Sequence, residues 1–157
     1  MSDSTDIPRI ETATIEDLEP ITELVMELLE MQVDFKPDRE VQQNGLRLIL
    51  ESPSKGRIFV MRNDHRIIGI VNLLFTISTA AGGMVILLED FIIHPDFRGL
   101  GYGSNMLKHV RKFAKDKKFS RITLLTDKIS SDSQKFFKSQ GFNYSNMIPM
   151  RATVDLD

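Results

Sequence analysis

The sequence predicts a mixed α/β fold: a mostly antiparallel central sheet flanked by about four helices. Three observations predict it. Two amphipathic stretches of helical period fill the first third of the chain. Three strand-like segments then follow one another from Gly56 to Ile93, and helix and strand patterns alternate after that.

The elements follow in order. Residues 1–6 are polar and acidic and read as a disordered tail ahead of one domain, residues 7–157. Ile7 to Thr12 reads as a short strand, which Pro8 confines to an edge or a strand start. Thr14 resembles a helix cap, with Glu16 and Asp17 in the first turn. Leu18, Ile21, Val25 and Leu28 recur at helical spacing, and the helix should run to about Asp34 and stop before Pro37. A second helix spans roughly Asp38 to Glu51, ended by Ser52-Pro53. Strands are expected over Arg57–Arg62, Arg66–Ser78 and Met84–Ile93, with turn chemistry at Asn63-Asp64 and Ala80–Gly83. Pro95 closes the third. A helix from about Gly101 to Lys115 carries Met106, Leu107, Val110, Phe113 and Ala114 on its apolar stripe. Arg121–Thr126 alternates as a strand, and Ser131 or Asp132 caps a short helix ending at Gly141. Phe142 to Val154 has strand composition around Pro149.

Composition narrows the chemistry. A chain of 157 residues with 41% hydrophobic and 27% charged residues has the mixture of a folded globular domain. A formal charge of −2 supplies no broad basic surface, so nucleic acid is not an expected partner. With no Cys there is no disulfide, thiolate nucleophile or cysteine zinc site. His65, His94 and His109 are too far apart in sequence for a local metal motif, and no metal is expected. The apolar run Met84–Leu88 is too short to span a bilayer, and the polar first residues do not make a signal peptide. A cytoplasmic protein without membrane partners is the expectation.

The glycine-rich turn Arg98-Gly99-Leu100-Gly101-Tyr102-Gly103-Ser104 lies between a strand and an amphipathic helix. Glycines let backbone N–H groups converge on an anion, and the helix start adds its positive dipole end. That combination suits a pyrophosphate, with Arg98 as an added cation. The spacing does not fit a dinucleotide fingerprint, because Ser104 or Met106 stands where the last glycine belongs. No Gly-Lys-Ser or Gly-Lys-Thr exists for a nucleoside-triphosphate loop.

Arg98-x-x-Gly101-x-Gly103, preceded by Ile93-His94-Pro95-Asp96-Phe97, resembles the acyl-CoA signature of the GNAT superfamily of N-acetyltransferases. Phe136-Phe137-x-x-x-Gly141-Phe142 is similar to that family's second landmark. Leu88-Glu89-Asp90-Phe91 with Gly103-Ser104 resembles the polyamine and thialysine acetyltransferase branch more narrowly. The resemblance implies acetyl-CoA as cosubstrate, held by Arg98 to Ser104, by backbone groups of Phe91, Ile92 and Ile93, and by Ser130, Ser133 and Phe137. It further implies a GNAT-like fold, a small-molecule amine as acceptor and, as in many similar proteins, a homodimer.

Glu89 and Asp90 interrupt an otherwise apolar strand. Unpaired, a buried carboxylate costs several kcal/mol, so charges there need a partner, water or a task. Regular alternation would put Glu89 on one face with Phe91 and Ile93, and Asp90 on the other with Ile92. An aliphatic amine must lose a proton before it can attack a thioester, which at pH 7 costs about 4–5 kcal/mol. A carboxylate can take that proton. Glu89 is the expected base, with Asp90 as second choice or substrate anchor. The family's thiolate-protonating Tyr corresponds to Phe137, which has no proton to give. Tyr144, Tyr102, Ser133 or water could serve instead, or the thiolate leaves unprotonated. The expected function is direct acetyl transfer to a primary amine of a small molecule such as a polyamine or amino-acid derivative. Acetylation of a peptide N-terminus or lysine is the alternative enzyme reading, and an acyl-CoA-binding sensor without turnover is the alternative from another class. His94 is expected to be structural or solvent-exposed, and His65 and His109 solvated.

Overall fold

A computed structural model of the chain describes residues 7–30, 36–128 and 130–157. The expected tail, residues 1–6, and the expected helix end near Asp34 lie outside the described residues. The chain divides into two compact units at Leu125/Thr126.

The first unit holds strand β1 (Arg9–Thr12), helices α1 (Leu18–Glu30) and α2 (Arg39–Leu50), strands β2 (Gly56–Asn63), β3 (Arg66–Ser78) and β4 (Gly83–Ile93), helix α3 (Tyr102–Asp116) and strand β5 (Ile122–Leu124). The strands form one sheet in the order β1-β2-β3-β4-β5. Its first four members are antiparallel, and β5 joins β4 in parallel. Short turns make β2–β3 and β3–β4 antiparallel hairpins, the two helices α1 and α2 intervene between the antiparallel β1 and β2, and the α3 crossover makes the last pair parallel.

Strand alternation sends the two faces of the sheet to different helices. Ile58, Val60, Ile70 and Ile92 share a buried cluster with Leu18, Ile21, Leu24 and Val25 of α1 and Leu46 of α2. From intervening positions, the rings of Phe59 and Phe75 meet Phe113 of α3 at centroid distances of 5.2 and 6.0 Å. Met106, Leu107 and Val110 complete the buried stripe of α3. His109, expected in solvent, instead stands edge-on to Phe59 at 4.6 Å, and burial together with Lys112 pushes its imidazole below the ordinary histidine value.

Ion pairs brace the α1/α2 side. Arg62 of β2 donates through Nη2 to both carboxylate oxygens of Asp17 at 2.8 Å and through Nε to Glu11. Asp17 also accepts from the Thr14 backbone N–H at 2.9 Å, so the expected capping residues do cap, although over a 3-10 turn (Ile15–Asp17) that leads into α1. Arg39 bridges Glu19 and Glu23, fastening the start of α2 to α1. Asp38 caps α2 by accepting from the Val41 N–H.

The second unit holds helix α4 (Ser131–Ser139). Its cap is Ser130, one residue ahead of the expected Ser131, and its end is closed by Gly141 at φ 92°. The strand expected over Phe142–Val154 is not formed: those residues carry no strand pairing. Pro149 has no N–H to give a ladder, and Met147, Ile148, Met150 and Val154 stand largely exposed. Strand composition without a paired neighbour does not make a strand. Among the described residues, no helix is long and apolar enough to cross a membrane.

Candidate active site

The antiparallel register of β3 and β4 slips by one residue in the middle of the sheet. Asn72 faces Glu89 and Ile70 faces Ile92, so Val71 alone on β3 spans Asp90 and Phe91 on β4. Asp90 takes up the extra residue as a β-bulge with φ 49°, in the left-handed region. Cross-strand partners share a face. Glu89 and Ile92 therefore both lie on the face of Asn72 and Ile70, the one covered by α1 and α2. This corrects the unbroken alternation expected from the sequence, which paired Glu89 with Ile93 and Asp90 with Ile92.

The bulge also re-aims Asp90. Asn72 Nδ2 donates to Asp90 Oδ2, bringing that carboxyl to the side chain directly opposite Glu89. Burial raises the Asp90 carboxyl above its ordinary value, and the Asn72 amide pulls it partly back. Glu89 is exposed, so the apolar run does not bury it. Asn72 was not singled out by sequence reasoning. Its signal was a lone amide within the apolar run Ile67–Ile77, a position that regular strand composition would fill with another aliphatic residue.

The parallel pairing of β4 with β5 covers Ile86–Leu88 against Ile122–Leu124 and stops there. Glu89 is the first β4 residue beyond it. Phe91 is half-buried, while Ile92 and Ile93 are buried. The His94 N–H bonds to Ile68 O at 2.7 Å and closes the strand. The His94 ring caps the following turn by accepting from the Asp96 N–H and lies 2.9 Å from Arg66 Nη2, the structural role expected of it.

The glycine turn opens α3 as the sequence predicts. Gly99 and Gly101 hold φ of 77° and 83°, and a Cβ on either would meet nothing within 4 Å. The backbone of the turn thus faces open space, with Gly101 as the cap of α3 and Leu100 exposed. The first turn of any α-helix has N–H groups with no intrahelical partner; here Tyr102 and Gly103 begin that turn. Arg98 Nε donates to Ile93 O at 2.8 Å, and Arg98 Nη2 lies 4.0 Å from Glu27 Oε1. Open positive-φ glycines, a helix start and one arginine are a donor set that fits a pyrophosphate.

Glu27 and Glu30 of α1 line a cleft of about 730 Å³ whose other wall includes His65, Arg66 and His94. Asp34 lies outside the described residues. Among the described residues, no group of three or more His, Asp or Glu is placed to hold a metal ion.

Four further residues that the sequence analysis named belong to the second unit. Ser130 Oγ caps α4 by accepting from the Ser133 N–H and lies 2.9 Å from Ser133 Oγ. The Phe137 ring meets those of Phe136 and Phe142 edge-on at 5.3 and 5.8 Å. The Tyr144 hydroxyl donates to Gln134 Oε1, and the Lys138 ammonium sits 4.1 Å from the Tyr144 ring centre.

Residues 18–142 match the model of the acetyltransferase (GNAT) family. The fold is shared with several solved structures. A possible acetyltransferase from Clostridium difficile 630 superposes with a TM-score of 0.86 at 15% identity, covering 96% of this chain and 99% of that one. A predicted acetyltransferase with acetyl-CoA from Clostridium acetobutylicum gives 0.75 at 16% identity, with 93% and 96% covered. Glucosamine-6-phosphate N-acetyltransferase from Arabidopsis thaliana gives 0.73 at 18% identity, with 96% and 100% covered.

Proposed function

Because the chain belongs to the GNAT acetyltransferase family, we propose that it moves an acetyl group from acetyl-CoA directly to a primary amine of a small molecule, such as a polyamine or an amino-acid derivative. In this reading Arg98 and the backbone from Gly99 to Ser104 would hold the pyrophosphate, and Phe91, Ile92 and Ile93 the pantetheine arm. Acetyl-CoA supplies the activated thioester; the chain supplies the site and the proton chemistry.

The observation that carries the reading is the place of Glu89. It is exposed on β4 one residue beyond the last pair with β5 and one residue before the bulge. There it would attract an ammonium and take one proton from it: an N–H bond breaks and an O–H bond forms on the carboxylate. The chain has no cysteine to carry a bound acetyl intermediate, which supports direct transfer. Phe137 has no proton for the departing thiolate, so in this reading another hydroxyl of the chain or water supplies it, or the thiolate leaves unprotonated. The same Phe137 supports the second reading, an acyl-CoA-binding sensor without turnover.

Calorimetric titration with acetyl-CoA, followed by thiol release across a panel of polyamines, amino-acid derivatives, lysine peptides and peptide N-termini, decides between them. Turnover highest on a small amine supports the proposal; turnover highest on a peptide supports peptide acetylation. Binding without turnover on any amine favours the sensor, and no binding overturns both.

A further inference from the structure

Three polar side chains are buried among the described residues: Asp17, Thr22 and Asn72. Two have evident structural work, since Asp17 pairs with Arg62 and Thr22 Oγ1 donates to Leu18 O. Asn72 differs. It is 1% exposed in the middle of the sheet, gives Nδ2 to Asp90, and leaves Oδ1 with no hydrogen-bond partner. An aliphatic residue would fill the position without stranding an acceptor.

The geometry shows what the amide adds. Asn72 lies opposite Glu89, beside the bulge that holds Asp90 at positive φ. That backbone conformation is unfavourable for an aspartate, and the hydrogen bond from β3 opposes its relaxation. The idle carbonyl matters too. An ionised carboxylate needs a donor, which Nδ2 provides. A protonated carboxyl needs an acceptor, and half a turn of the amide about its last bond presents Oδ1, which has no other bond to break.

We propose that Asn72 is a positioning residue of acetyl transfer, holding the Asp90 carboxyl at the bulge in both its ionised and its protonated form and so keeping Asp90 beside Glu89 while a proton is moved. This rests on the reading of Glu89 and Asp90 as the amine-handling acids. Glu89 is the charged neighbour on β4, and β3 carries no charged side chain from Ile67 to Ser78. Burial raises the Asp90 carboxyl and the Asn72 amide lowers it.

The test compares wild type, Asn72→Leu, Asp90→Asn and the double variant. Titration of the Asp90 carboxyl by carbon NMR should move to higher pH in Asn72→Leu, because the ionised form loses its donor. The same variant should lose about tenfold or more in kcat, with acetyl-CoA affinity within twofold and the acid limb of kcat/KM displaced upward. In the Asp90→Asn background the leucine should have little further effect on kcat. An unmoved titration, an unchanged kcat and pH profile, or an equal loss in both backgrounds would overturn the proposal. Asn72→Ala takes the place of the leucine variant if that one does not fold. The titration does not depend on turnover, so an enzyme inactive on every amine would sink the acetyl-transfer reading while the titration still decided the pairing.

Discussion

The Arg98 side chain donates through Nε to the carbonyl oxygen of Ile93 at 2.8 Å, tying the glycine turn to the end of β4. One residue thus ties the strand carrying the acids to the helix start proposed to hold the coenzyme's pyrophosphate. Arg98→Ala should weaken acetyl-CoA binding about tenfold, equivalent to about 1.4 kcal/mol. Arg98→Lys keeps the charge but not the planar donor and should fall between. Titration calorimetry at two salt concentrations checks both.

Gly101→Ala isolates backbone strain from crowding. Nothing within 4 Å would meet the new methyl, but φ is 83°. A left-handed alanine costs about 1–2 kcal/mol. Urea unfolding should show that loss, and acetyl-CoA affinity should fall as the turn relaxes. Full affinity in a folded variant would mean the turn does not bind the coenzyme.

Glu89→Gln keeps size and removes the proposed base. Turnover should drop between about 10² and 10⁴-fold, with the acetyl-CoA dissociation constant within twofold. Steady-state rates from pH 6 to 10 on the preferred amine test this, since alkaline conditions deprotonate the amine without help and should narrow the gap.

Asp90 makes a prediction about stability against pH. Its folded-state carboxyl value is raised, chiefly by burial. A raised carboxyl contributes stability that is fully present below the unfolded value of about 3.9 and is lost as pH rises through the folded value. Asp90→Asn should therefore be more stable than wild type at pH 7 and lose that advantage toward pH 3. Thermal melts across that range give the comparison, and a variant less stable than wild type at pH 7 would contradict it.

Most of the fold was legible because the local rules agreed with one another. Asp38 capping α2, Pro95 closing β4 and Gly101 opening α3 each combine a turn residue with a change of hydrophobic period. Phe142–Val154 misled because composition reports a preference while a strand needs a neighbour to bond. The glycine turn was readable for a different reason: its chemistry is local, and a few consecutive residues carry it. The bulge was not readable. Nothing in Leu88-Glu89-Asp90-Phe91 says that β3 spends one residue where β4 spends two, because that is decided by pairing across the sheet. Asn72 was hidden with it, its importance coming from a residue 18 positions away.

The supernumerary residue at position 90 has an evolutionary and engineering side. Remove it, and Phe91 would drop into line opposite Val71, restoring a continuous ladder from Glu89 to Ile93. Such a deletion should give a smoother hairpin that folds at least as well and no longer offers two acids at one spot. A screen that rewards thermal robustness alone would be expected to discard this stutter first, and the catalyst with it.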